Sequence, residues 1–331
     1  MVTMTPDQVH DLILRTLMRC RTAEANARSV AQALVAAEMV GQSGHGLRRV
    51  PSYAAQALSG KVDGFATPTA THPRPGVVAV DAAMGFAYPA LDLAVDWLAE
   101  AAPQQGIAGA GIVRSHHCGV AGVTVERLAR SGLVALLFAN TPAAMAPWGG
   151  RKALFGTNPI AFAAPRSGGR SPIVVDVSLS KVARGKIMAA EQQGTAIPEG
   201  WALDADGQPT TDPAAALAGT MIPMGDAKGT ALALMVELLA AGLMGANFAH
   251  EASSFFDADG PPPGVGQVIL TLDPDAFSDM ARSRIDDLAD AMAQQPGARL
   301  PGARRDDLRK AAADGLQVDD ALLAQIDALG A

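Results

Sequence analysis

Between residues 106 and 194 the chain alternates short apolar runs with helical ones, and few architectures accept that pattern. "GIAGAGIV", "LVALLFAN", "NPIAFAAP" and "SPIVVDVS" are short and almost uniformly apolar, while "AGVTVERLARSG" and "VARGKIMAAEQQG" have helical spacing. Strands that are apolar on both faces need helices on both sides, so the stretch predicts an α/β fold around a largely buried sheet. "QVILTLDP" adds a late strand. Upstream, Thr5-Pro6 reads as the N-cap and first residue of a helix reaching about Arg21. "TAEANARSVAQALVAAEMVG" reads as a second helix closed by Gly41. "VPSYAAQALSG" is a short helix, and residues 76–106 give a strand, a turn at Gly85 and a helix. "IPEGWALDADGQPTTDP" predicts a turn-rich surface excursion, "KGTALALMVELLAAGLMG" a long buried helix, and "FFDADGPPPGVG" a loop. Residues from Pro274 onward read as helical.

Composition narrows the partners. The formal net charge is -7 over 331 residues and no basic stripe is present, which argues against nucleic acid and anionic membrane surfaces. No stretch of 18 uncharged apolar residues occurs, and the first twenty residues lack the basic end, apolar block and cleavage site of a signal peptide. The two cysteines, Cys20 and Cys118, form no disulfide or metal pattern. The adjacent His116 and His117 have no third ligand at metal spacing. A cytoplasmic protein without a metal is the expectation.

Chemistry is concentrated in a few turns. "GQSGHGLRRVPSY" sets His45 between two glycines, with Arg48, Arg49 and Tyr53 downstream. An imidazole titrates near working pH and serves as acid or base, and a guanidinium offers a planar fork to a carboxylate. "SHHCGVAG" joins a strand to a helix, where backbone N–H groups suit either a phosphate or an ordinary tight turn. "APWGG" and "LFGTNP" are further polar turns. Asp176 ends an apolar strand, placed either to orient a histidine or to cap a helix starting near Lys181. Arg184, Lys186 and Lys228 lie beside glycines and face either an anion or solvent. The G-x-G-x-x-G fingerprint, the P-loop, H-E-x-x-H and G-x-S-x-G are all missing.

Taken together, "SGHGLRRVPSY", "SHHCGVAG", "FAN", "APWGG", "LFGTNPIAFAAP", "VVDVSLSKVARGK", "IPEGWALDADGQPTTDP" and "MGDAKGTALALMVELLAAGLMG" resemble the malate/L-lactate dehydrogenase family that lacks the usual dinucleotide fold. The resemblance covers nearly the whole chain. It implies an NAD- or NADP-dependent oxidoreductase that moves a hydride between nicotinamide and a small anionic 2-oxo or 2-hydroxy acid of malate, lactate or sulfolactate type. Reduction of cyclic imino acids is the alternative within the family, and a catalytically idle dinucleotide-binding homologue the alternative outside catalysis. The resemblance further implies a homodimer and a family-specific mixed sheet flanked by helices, with N- and C-terminal helices forming a second domain. The expected division is residues 1–105 (helices, dimerisation, the catalytic histidine), 106–265 (the NAD(P)-binding sheet) and 266–331 (a strand and helices packing back on the N-terminal part).

Carried over residue by residue, the resemblance implies His45 as proton donor or acceptor, supported by Asp176. It implies Arg49, with its neighbour Arg48, Tyr53 and Thr157 around the substrate. It puts His117, Cys118, Gly119, Val120, Ala121, Asn140, Asn158, Asp176, Val177, Ser178, Arg184, Lys228 and Gly229 on cofactor-contacting stretches. Three positions depart from the family pattern. Gly44 replaces a relay serine, so either the relay is shorter or Ser43 reaches in from one position earlier. His116-His117-Cys118-Gly119 replaces Asn-His-Phe-Gly, and Gly225-Asp226-Ala227-Lys228-Gly229 replaces Gly-Gly-His-Lys-Gly.

Overall fold

The computed structural model describes residues 1–330. The chain opens with strand β1 (Val2–Met4), helices α1 (Pro6–Arg19), α2 (Glu24–Met39) and α3 (Val50–Ser59), and strands β2 (Thr69–Arg74) and β3 (Val77–Asp81). Helix α4 (Ala87–Gln105) leads to β4 (Ile107–Ser115), α5 (Ala121–Arg130), β5 (Val134–Ala139), β6 (Ile160–Ala164), β7 (Ile173–Val177) and α6 (Arg184–Gln193). The turn-rich excursion holds β8 (Ala202–Leu203), β9 (Pro209–Thr210), α7 (Pro213–Ala218) and β10 (Thr220–Met221). Then follow α8 (Ala227–Glu237), β11 (Val265–Leu272), α9 (Ala281–Ala293), α10 (Arg304–Ala313), β12 (Leu316–Val318) and α11 (Asp320–Asp327).

Local signals explain the ends of these elements. Thr5 forms a capping box with Gln8: its hydroxyl accepts from Gln8 N–H while the Gln8 side chain accepts from Thr5 N–H, and Pro6 fills the first helical position. The helix stops at Arg19, two residues before the expected Arg21.

The seven-stranded sheet runs β2-β3-β4-β11-β5-β6-β7. Only β3 and β4 pair in parallel, so the sheet is mixed. The late strand β11 sits at its centre: Ile269 lies opposite Ala110 of β4 and Leu137 of β5. Alternation along the strands feeds two cores. Leu137 and Ile269 join the main core, which contains residues of α1, α2, α4 and α5. Their neighbours Phe138 and Val268 turn to the other face, against Ala233, Val236 and Ala240. The registers put the carboxyl ends of β3, β4, β5 and β7 on one edge, with the amino ends of β6 and β11.

Three expectations change. The sheet crosses the boundaries expected at 105 and 265, because β2 and β3 form one side of it and β11 its middle. The chain termini meet in a separate two-stranded pairing of β1 with β12, Val2 opposite Val318. The strand β2, "TATHPR", was not expected because its residues are polar and mostly exposed. The apolar run from Lys228 is only half-buried: α8 passes into a π-helical turn at Leu238–Gly242, and Leu234, Leu238 and Leu243 are 48%, 55% and 68% exposed.

Candidate active site

The edge that collects the strand ends also collects most of the residues singled out by sequence. His45 closes a 3-10 turn, Ser43–His45, and a second such turn, Leu47–Arg49, runs into α3. Glu38 of α2 holds the pair of turns in place: its carboxylate accepts from Leu47 N–H at 2.7 Å. A Cβ on Gly46 would overlap that carboxylate, so only glycine lets the turns approach α2 this closely.

The His45 ring is stacked on His117, centroids 5.0 Å apart, and its Nδ1 lies 3.1 Å from His117 Nε2. His117 Nδ1 in turn lies 2.6 Å from the Tyr53 hydroxyl, which is 3.0 Å from the Tyr88 hydroxyl. The chain contains two tyrosines, and both are buried in this line. The line engages Nδ1 of His45 and leaves Nε2 free. Burial, and then the nearby Arg49 charge, lower the His45 pKa to about 4. His117 is pushed well down by the same two causes, and burial pushes the Tyr53 phenol up to about 12. All three are therefore neutral in the free chain at pH 7.

Arg49 flanks this line. Its Nε donates to the Gly44 carbonyl at 2.9 Å, and its guanidinium carbon sits 4.6 Å from the centre of the Phe256 ring. Its Nη1 is buried without a hydrogen-bond partner. An unsatisfied buried donor on a cation is costly, and an anion bound there would remove the cost.

Several sequence expectations are corrected by these contacts. Tyr53 is wholly buried with its hydroxyl on His117, so it positions a ring and does not face a ligand. Arg48 is exposed and makes no ion pair among the described residues, because neighbouring residues of a 3-10 turn point in different directions and it is Arg49 that turns to Gly44 and Phe256. Ser43 is exposed, and the partner of His45 Nδ1 is His117 and not the Ser43 hydroxyl. A Cβ at Gly44 would meet nothing within 4 Å, so a serine fits there without strain, and the glycine contributes its carbonyl to Arg49.

Asp176 does not support His45. Its Oδ2 accepts from Gly122 N–H at 2.8 Å and lies 3.6 Å from Arg305 Nη2. The carboxylate thus satisfies one N–H of the first turn of α5, the turn that suited either a phosphate or ordinary tight-turn chemistry, and lies favourably at the positive end of that helix dipole. Cys118, Gly119, Val120 and Ala121 are buried beneath it, and burial holds the Cys118 thiol neutral with its pKa raised to about 12. Asn140 and Asn158 are equally committed inward. Both donate to the buried Glu237 carboxylate, at 3.4 and 2.8 Å, and their second amide hydrogens go to the Asn247 and Ala233 carbonyls. Neither amide donor is left for a cofactor.

The third group lies along the end of β7. Leu179 N–H donates to the Thr157 carbonyl, and Met224 N–H donates to the Leu179 carbonyl, so Thr157, Val177–Leu179 and the lead-in to α8 run side by side. The Thr157 hydroxyl is 3.4 Å from that of Thr141. Val177 is 39% exposed, and Ser178 faces Ser180 across 3.3 Å. Lys228 is exposed and makes no ion pair among the described residues, while Gly229 is buried where a Cβ would overlap the Met224 carbonyl. Arg184 has one long hydrogen bond, 3.4 Å to the Leu217 carbonyl, and partial burial lowers its pKa. Exposed backbone, a hydroxyl and underused cations form a surface that fits a dinucleotide phosphate. In the α5 turn the Gly122 N–H is taken by Asp176.

Glu38, Tyr88, Glu237 and the pair Phe255-Phe256 were not anticipated. The rarity of aromatics, 4% of the chain, was the available signal for Tyr88 and the phenylalanines.

Comparison with known proteins identifies the family. The sequence profile of the family described as malate/L-lactate dehydrogenase matches residues 4–327. The chain is 52% identical over 302 residues to (2R)-3-sulfolactate dehydrogenase (NADP(+)) of Chromohalobacter salexigens, covering 91% of this chain and 90% of that one. It is 40% identical to the Δ1-pyrroline-2-carboxylate/Δ1-piperideine-2-carboxylate reductase of Pseudomonas aeruginosa, over 99% of both chains. Among solved structures, Δ1-piperideine-2-carboxylate reductase of Pseudomonas syringae superposes with a TM-score of 0.90 at 38% identity, over 99% of this chain and 100% of that one. The sulfolactate dehydrogenase of Methanocaldococcus jannaschii superposes with a TM-score of 0.89 at 28% identity, over 98% and 95%. The chain belongs to the malate/L-lactate dehydrogenase family and is an NAD(P)-dependent oxidoreductase.

Proposed function

We propose that the chain interconverts a small 2-hydroxy acid and its 2-oxo acid, of the sulfolactate type, with NADP as the cofactor used. The observation that carries this reading is Arg49: a guanidinium with a buried, unpartnered Nη1 beside a histidine whose outer nitrogen is free. The substrate carboxylate pairs with the Arg49 fork, which fixes the reacting carbon next to His45. In oxidation, neutral His45 takes the hydroxyl proton at Nε2. In reduction it gives that proton back. Pairing Arg49 with an anion cancels the positive field that lowers the His45 pKa, so the bound substrate itself raises the ring's proton affinity. His117, held by Tyr53, fixes the ring orientation throughout.

The nicotinamide dinucleotide, when bound, supplies or accepts the hydride. Val177, Ser178, Arg184 and Lys228 are the residues that would hold it, with Gly229 keeping the backbone close. Thr157, on the same ridge, borders the substrate. The 52% identity, over 91% of the chain, to a protein named as an NADP(+) sulfolactate dehydrogenase supports the choice of substrate and cofactor. The exposed face of Leu234, Leu238 and Leu243 supports a homodimer, since a contiguous apolar face of this kind is otherwise left wet. Two buried free thiols, Cys20 and Cys118, suit a reducing cytoplasm.

The test is a panel of oxidations and reductions followed by nicotinamide absorbance with both cofactors. Sulfolactate, malate, lactate and the two cyclic imino acids are offered in turn. Turnover of sulfolactate with NADP above the rest is expected. Turnover of only the cyclic imines would replace the reading, and cofactor binding without turnover of any would make the chain a binding protein.

A further inference from the structure

We propose that Phe256 is the residue that orients the Arg49 fork, and that the segment carrying it, residues 253–264, is a fixed strap that sets affinity for the substrate's carboxylate. The inference rests on the reading of Arg49 given above. The guanidinium has a single protein hydrogen bond, from Nε to the Gly44 carbonyl, which leaves the plane free to rotate about that bond. The Phe256 ring, 4.6 Å away, supplies the second constraint: its negative face attracts the cation and holds the plane. A planar acceptor such as a carboxylate needs that orientation to be matched by both Nη groups.

A ring can orient a cation only if the ring itself is held. Three side chains of α3 and the residues just after it bolt the strap down. Gln56 donates to the Phe255 carbonyl at 2.9 Å, the Ser59 hydroxyl to the Ala258 carbonyl at 3.1 Å, and Lys61 Nζ to the Asp257 carbonyl and carboxylate at 3.1 and 3.0 Å. The Lys61 side chain is buried, and Asp257 is its only ion-pair partner among the described residues. At the far end Asn247 donates to the Pro263 carbonyl, and Pro261-Pro262-Pro263 stiffens the return to β11. Phe255 is buried against the rings of His116 and His117, so the same strap backs the histidine line. Phe256 itself is half-exposed and packs in no core, which leaves Arg49 as its contact with a chemical consequence.

The experiment compares Phe256→Leu, which keeps bulk and loses the ring, with Phe256→Tyr, which keeps the ring. Binding of oxalate to the full chain is measured by calorimetry, alongside KM and kcat on the substrate of the panel. Phe256→Leu is expected to weaken oxalate and raise KM about 3- to 10-fold with kcat within twofold, and Phe256→Tyr to restore both. Lys61→Met is expected to weaken oxalate as well, and the double variant Lys61→Met/Phe256→Leu to be no weaker than either alone, because both act through one strap. Wild-type affinity in Phe256→Leu overturns the inference and leaves the Arg49 reading intact. Failure of the wild-type chain to bind oxalate or turn over any acid overturns both. If Lys61→Met does not fold, the Leu–Tyr comparison alone decides.

Discussion

Replacing His116 with asparagine should flatten the acid side of the stability curve. His116 is 1% exposed, and its Nε2 lies 2.8 Å from the Gln56 side-chain oxygen. That oxygen must accept, because the Gln56 amide nitrogen is committed to the Phe255 carbonyl; Nε2 therefore carries the ring's hydrogen. Nδ1 is buried with no partner, so a second proton would have nowhere to bond. Burial first, then the charges of Arg49 and Lys61, hold the pKa near 3, below the usual value of about 6.5. The folded chain consequently binds fewer protons here than the unfolded chain between pH 6.5 and 3. The associated stability is present above the unfolded pKa and is lost as pH falls below it. Between pH 7 and pH 5 the linkage amounts to about 2 kcal/mol. Asparagine does not titrate, and because its shorter amide falls short of the Gln56 oxygen, the loss of that bond is the same at every pH and cancels from the slope. Urea unfolding of both chains at pH 5, 6, 7 and 8 should show the wild type losing about 2 kcal/mol more than His116→Asn over that range. Taking the difference removes the shared contributions of Glu38, Asp176 and Glu237, whose raised pKa values act in the opposite sense. Parallel curves would refute the argument that the fold keeps this ring neutral.

Three further outcomes follow from the contacts. His45→Ala should lower kcat by roughly 10²- to 10⁴-fold while leaving cofactor binding near wild type; a full rate across the pH range would remove His45 from the chemistry. Arg49→Lys should raise KM for the acid by roughly tenfold, since a point charge replaces a fork, and an unchanged KM would reassign the carboxylate. Gly46→Ala should cost about 2 kcal/mol in denaturant unfolding, because the new methyl displaces the Glu38 carboxylate from Leu47 N–H. Wild-type stability there would mean that the turn has room to move.

What could be read from the chain follows the range of the interactions. Helix starts, apolar strands and the His45–Arg49 pair are encoded within a few residues, and the family motifs extend that reading to the whole chain. Partners far apart in sequence were not legible. Nothing around Asp176 indicates that its carboxylate closes a helix beginning 55 positions earlier at Ala121. Asn140 and Asn158 look like free amides until the buried Glu237 is placed between them. The choice between Arg48 and Arg49 depends on the pitch of two consecutive 3-10 turns, which composition does not specify. Phe255-Phe256 sat in a stretch of Asp, Gly and Pro that reads as loop, and only the hydrogen bonds from α3 make it a rigid part of the site.

The central place of β11 has a consequence for how the protein comes off the ribosome. Strands β4 and β5 are synthesised more than a hundred residues before the strand that joins them. Until it emerges, β4 and β5 lack the one strand that pairs with both of them. Closure is thereby deferred to the end of translation, and a polypeptide cut short before Val265 has no means of completing the seam.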